Sequence, residues 1–132
     1  MAEVEWLHLC DHAFFDEHRK PCLVGLFRTI TAEHVPAAHS KCSLVFSVTG
    51  EPKEIVDVEI LLVGPDGKAP IMRFRNTSLD LGPGGVNTTN ISFDSVPLPD
   101  FGRYEFQVLL NGRLAKCLPL GIRRAKSAGR RR

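Results

Sequence analysis

Apolar and polar residues alternate with a period of two along most of this chain. In "CSLVFSVTG" (42–50), Cys42, Leu44, Phe46 and Val48 fall on one face and Ser43, Ser47 and Thr49 on the other. Successive side chains of a strand point to opposite faces, so the first set turns toward a core. "EIVDVEILLVG" (54–64) repeats the pattern, with Val56, Val58, Ile60 and Leu62 inward and Asp57 and Glu59 outward. Tyr104, Phe106, Val108 and Leu110 alternate in the same way with Arg103, Glu105 and Gln107. Trp6 to Phe15, "CLVGLF" (22–27), Ile71 to Arg75, "NISFDSV" (90–96) and Leu114 to Ile122 complete the expected strands. No segment carries an apolar stripe of helical period longer than two turns.

Turn chemistry separates these runs. Pro65-Asp66-Gly67 is a strong turn signal, because proline presets φ and glycine accepts positive φ. Asn111-Gly112 is the preferred pair for a two-residue hairpin, where both positions need φ > 0. "LDLGPGGVNTT" (79–89) reads as a loop and "TAEHVPAAHSK" (31–41) as a connection without periodicity. Short alternating strands, regular turn signals and no helices imply an all-β, immunoglobulin-like antiparallel β-sandwich of about seven to nine strands. It is expected to occupy residues 1–122, with 123–132 as a separate basic, unordered tail.

"PDFGRYEFQVLLNGRLAKCLPL" (99–120) sharpens the expectation. Asp100-x-Gly102-x-Tyr104-x-Phe106 resembles the Asp-x-Gly-x-Tyr-x-Cys run that leads into the second disulfide cysteine of immunoglobulin-type domains. A tyrosine at this place hydrogen-bonds back across the corner between the sheets, a packing role. Phe106 stands where the cysteine would be, and the usual core tryptophan of the middle strand is absent, the one tryptophan being Trp6.

The layout also resembles an uncharacterised bacterial family of small β-sandwich proteins. The shared features are Leu9-Cys10-Asp11 on a first strand, Leu23 to Phe27 on a second, Val35-Pro36 in the following connection, the Pro65-Asp66-Gly67 turn, and Gly102-x-Tyr104-x-Phe106 with its Asn-Gly hairpin. The resemblance covers about residues 5–122. It implies a fold and a bacterial setting, and no activity.

Composition changes the picture in two places. The N-terminal run has acids where a signal peptide needs basic residues, and no apolar run approaches the roughly 18 residues that span a bilayer. A cytoplasmic protein with no membrane partner is therefore expected, with Cys10, Cys22, Cys42 and Cys117 as reduced thiols. The net charge of +2 conceals an asymmetry. Six of the 17 basic residues, Arg123, Arg124, Lys126, Arg130, Arg131 and Arg132, lie in the last ten positions with no acid among them. The first 122 residues then carry 11 basic against 15 acidic residues, about −4 net. Three tail readings follow: a solvated end, a phosphate contact with nucleic acid, or docking on an acidic protein or surface.

"HLCDH" (8–12) is the one run with candidate site chemistry. On a strand, His8, Cys10 and His12 share a face, and zinc takes such ligands. Alternate side chains lie about 7 Å apart, so the three would have to converge on one ion. Cys10 beside His8 or His12 is also the one conceivable cysteine nucleophile. "GPGG" lacks the lysine and helix of a phosphate loop. The sequons at Asn76, Asn87 and Asn90 mark polar, turn-rich strands. The expectation is a non-catalytic module with no cofactor that binds another protein. The alternatives are a nucleic-acid contact through the tail, and a small zinc protein or hydrolase built on His8, Cys10 and His12.

Overall fold

A computed structural model describes residues 1–125, apart from the side chains of Asn76 and Thr77. Among the described residues there are nine strands and no helix. They are β1 (Glu3–Phe15), β2 (Pro21–Leu26), β3 (Thr29–Ala32), β4 (Ala37–Thr49), β5 (Ile55–Val63), β6 (Pro70–Asp80), β7 (Val86–Leu98), β8 (Gly102–Leu110) and β9 (Arg113–Arg124). Two sheets face each other, one ordered β2-β1-β4-β7 and the other β3-β9-β8-β5-β6. This is the immunoglobulin-like β-sandwich that the alternation implied.

The inward sets of β4, β5 and β8 are those given by the period of two. Leu44, Phe46, Val48, Val56, Ile60, Leu62, Tyr104, Phe106 and Val108 all lie in one buried cluster. Phe106 stacks on Phe93 of the opposite sheet, with ring centroids 5.8 Å apart and planes 23° apart. An aromatic pair thus joins the two layers from the position where an immunoglobulin disulfide would. At the neighbouring corner, Tyr104 is fully buried. Its hydroxyl donates to the Asp100 carbonyl at 2.6 Å and accepts the Asp100 N–H at 2.9 Å. Asn111 and Gly112 close the β8–β9 hairpin with φ of 52° and 82°.

The strands differ from the sequence expectation in length and direction. The connection before Cys42 contains the end of β3 and the first part of β4, where small and charged residues hide the period. The expected loop 79–89 shrinks to Leu81–Gly85, and β7 takes in Val86 to Thr89. Thr, Asn and Ser pair as well as apolar residues when one face is solvated, and they leave no hydrophobic signal. β3 runs parallel to β9, so the sandwich is antiparallel except at that edge. β9 continues through Arg124, past the boundary expected at Ile122. Arg123 and Arg124 therefore belong to the sheet, held opposite Thr31 and Ala32. Backbone pairing to β3 supplies what their apolar content does not. Lys126, Arg130, Arg131 and Arg132 lie outside the described residues.

The two core contacts separate by cost. Phe106→Ala removes a buried ring that spans the layers and should cost about 3 to 5 kcal/mol. Tyr104→Phe keeps the ring and loses two hydrogen bonds, for about 1 to 2 kcal/mol. Denaturant melts of both variants check the order; equal or reversed costs contradict it.

Candidate interaction surface

β1 carries the candidate residues, and the partners of β1 decide what they can do. From Glu3 to Cys10 the strand pairs with β4, ending at Cys10 opposite Ser43. From Cys10 to Phe15 it pairs with β2, from Leu26 back to Pro21. Beyond Cys10 no strand among the described residues flanks β1 on its other side, so residues 11–26 form a two-stranded arm at the corner of the sheet. Its turn is built locally. The Asp16 carboxylate accepts the N–H groups of His18 and Lys20, both at 2.8 Å, and Arg19 takes a φ of 63°.

Residues directly opposite on an antiparallel pair share a face. His12 and Phe14 therefore line up with Val24 and Cys22 on the outer face of the arm, and Leu26 lies beside Cys10 on the same side. Phe14 is 46% exposed, Val24 54% and Leu26 59%. The arm's other face is also largely apolar, with Ala13 opposite Leu23 and Phe15 opposite Pro21. A two-stranded ribbon is marginal by itself in water, and clustered exposed apolar side chains mark surfaces that something covers.

His8, Cys10 and His12 do share one face, as their spacing required, but the structure does not bring them together. His8 stacks on Trp6 with centroids 5.6 Å apart, and His12 lies against Phe14 at 5.6 Å. Cys10 is fully buried, its thiol donating to the carbonyls of His12 at 3.4 Å and Ser43 at 3.7 Å. Among the described residues no group of three or more His, Cys, Asp or Glu is placed to hold a metal ion. Burial pushes the Cys10 thiol above its ordinary range, with Asp11 adding to the rise. A cysteine nucleophile needs the opposite shift. All four thiols are free. The result along β1 is a ladder of rings, Trp6–His8 and His12–Phe14, divided by a sunken thiol.

Beside the ladder, Ser43, Val45 and Ser47 of β4 are buried. Their hydroxyls are all used. Ser43 shares a hydrogen bond with Ser92 at 3.1 Å, Ser47 donates to the Glu5 carboxylate at 3.2 Å, and Thr88 donates to Ser47 at 3.3 Å. The alternation of "CSLVFSVTG" placed Ser43 and Ser47 on the face opposite the core cluster, but could not show that they are buried there.

The geometry can now be set beside known proteins. A family profile described as a family of unknown function, DUF6941, matches residues 5–123. The chain belongs to that family. No curated protein matches this chain. Among solved structures it is similar to an immunoglobulin-like protein from Pseudomonas aeruginosa, at 12% identity and a TM-score of 0.51, over 93% of this chain and 97% of that one. It is also similar to the Pseudomonas fluorescens alkylpurine DNA glycosylase AlkC, solved bound to DNA containing an abasic site analog, at 15% identity and a TM-score of 0.57. That likeness covers 92% of this chain, which spans 30% of the glycosylase chain. At such identities the likeness is one of fold. No helix among the described residues is long and apolar enough to cross a membrane.

The arm is what sequence reading missed. "HAFF" and "CLVGLF" announce apolar strands, and apolar strands are read as core. They stand uncovered because β4 pairs with β1 only from Ser43 to Thr49, leaving residues 37–42 of β4 away from β1.

The buried thiols generate a pH dependence. Burial pushes the inward Cys42 thiol up from 9.0 to about 11. The unfolded chain then ionises this group before the folded one does, so the contribution is whole below pH 9 and is lost between 9 and about 11. Stability should fall over that window by up to about 2 to 3 kcal/mol. Cys42→Val should flatten the fall, as read from denaturant midpoints at pH 8 and pH 11; an unchanged slope contradicts the assignment.

Proposed function

We propose that this chain is a non-catalytic interaction module that takes a protein partner on the β1–β2 arm. One observation supports the reading: Phe14, Val24 and Leu26 stand about half exposed on one side of a ribbon that has no third strand among the described residues. Covering the exposed half of each such side chain is worth roughly 1 kcal/mol, before the costs of association. The complementary partner is a protein surface with an apolar patch, because the uncharged rings and methyls of the arm reward loss of water and little else. β2 is an edge strand, so a partner segment could also hydrogen-bond along it. Reading the module as non-catalytic is supported by the buried Cys10 thiol, whose pKa is raised, and by His8 and His12 lying against Trp6 and Phe14.

The test places a photo-crosslinking residue at Val24, and separately at Lys68 in the β5–β6 turn, in cells that express the chain. A discrete crosslinked protein should form from position 24 and not from 68. Phe14→Ser with Leu26→Ser should lower its yield about tenfold, a loss of about 1.4 kcal/mol. The fold should persist, since both side chains are partly solvated and such changes usually cost little. Identical products and yields from the two positions would overturn the reading.

A further inference from the structure

The opposite layer carries a second feature that the arm does not explain. Arg28 joins β2 to β3, Arg103 lies on β8 and Arg123 on β9. Their neighbours Tyr104 and Ile122 point into the core, so Arg103 and Arg123 point out from the five-stranded sheet. Register places Arg103 directly opposite Gly121, with Arg123 two residues further along the same face. The Gly121 N–H donates to the Arg28 carbonyl at 2.9 Å, which draws the third arginine to the same place. Together with Gly102, Pro119, Gly121 and Ile122 they line an open groove of about 440 Å³.

Two observations mark the groove as a place for an anion. First, no carboxylate among the described residues pairs with these arginines. Among the described residues the ion pairs are His18–Glu17, Arg73–Glu59 and Arg75–Glu59. Glu105, the acid on the same face of β8, instead accepts from the Gln107 side chain at 2.8 Å. Three like charges gathered without counter-charge repel one another until an anion arrives. Second, Gly121 is not required by the fold. Its φ is not in the left-handed region, and an added Cβ would meet nothing nearer than 3.9 Å, the Arg28 carbonyl. Glycine weakens a strand unless something approaches its backbone closely. A side chain there would project into the space between Arg103 and Arg123.

We propose that Arg28, Arg103 and Arg123 form a phosphate-binding groove for the backbone of a nucleic acid. Guanidinium groups suit phosphate oxygens through paired N–H donors. The chain that follows adds Lys126, Arg130, Arg131 and Arg132, against a body of about −4 net charge. Positive charge is thus concentrated at this end of β9, as a repeating polyanion needs. The neighbouring ring of Phe101 is occupied, with the Arg124 guanidinium 4.6 Å above its centroid. Contact is therefore with phosphates and blind to sequence.

The experiment measures binding of the full chain to a fluorescent random-sequence DNA duplex by anisotropy, across a salt series. Arg28→Gln/Arg103→Gln/Arg123→Gln should weaken binding at low salt by at least about tenfold and flatten the log–log salt slope by roughly 2 to 3, about 0.9 per lost phosphate contact. The corresponding lysine triple variant should keep most of the slope. Arg19→Gln/Arg73→Gln/Arg75→Gln changes net charge equally and should bind nearly as the parent does. Gly121→Val changes no charge and should weaken binding by obstructing the groove, with melting temperature retained in every variant compared. Equal losses in the two glutamine triples mean a diffuse charge effect and overturn the groove. Binding lost on removing residues 126–132 but kept in the groove variants assigns the contact to the tail alone and overturns it too. Tighter binding to polyglutamate than to DNA at matched salt replaces the nucleic acid with an acidic protein.

Discussion

The contact between Phe93 and Phe106 is the constraint on which the sandwich depends. Two sheets must be held at a fixed spacing, and immunoglobulin domains commonly do so with a covalent staple. Here the same position is filled by stacked rings. Such a pair adds directional preference to burial, but it tolerates neither a polar neighbour nor a void. The flanking core is accordingly apolar and continuous, and Tyr104 is admitted only because both hydrogen-bonding roles of its hydroxyl are met by Asp100. Free thiols at Cys10 and Cys42 then behave as small hydrophobes, and burial keeps them protonated.

With the centre closed this way, both proposed contacts lie on the outer faces. The four-stranded sheet offers rings and methyls on an arm with one strand too few. The five-stranded sheet offers guanidinium groups around an open groove. The two surfaces lie on different layers and ask for different chemistry, loss of water in one case and charge neutralisation in the other. On the two readings proposed above, the protein contact and the polyanion contact fall on opposite layers, with the core between them. Neither surface needs a buried catalytic group.

The family and the fold were legible in the residues, and the reason is local. Alternation along β4, β5 and β8 assigns each side chain to a face without reference to any other strand. Asn111-Gly112 and Pro65-Asp66-Gly67 select their turns by backbone preference alone. Polar segments were less legible. β3 and the ends of β4 and β7 are held by ladder hydrogen bonds, which any residue but proline can make, so side-chain character does not announce them. The expected tail boundary at Ile122 was too early for the same reason, since Arg123 and Arg124 are held by the backbone of β3.

By itself, then, the sequence determined that there are two faces per strand, which residues line the core, that a tyrosine guards the corner, and that basic charge gathers at the C-terminal end. It also determined that His8, Cys10 and His12 share a face. Tertiary structure decided what each face meets. It turned the two histidines onto Trp6 and Phe14, and it ended the β1–β4 ladder at Cys10, exposing Phe14, Val24 and Leu26. It also brought Arg28 beside Arg103 and Arg123. These outcomes depend on register between strands far apart in the chain, and register is set by the packing of whole sheets rather than by any short run of residues.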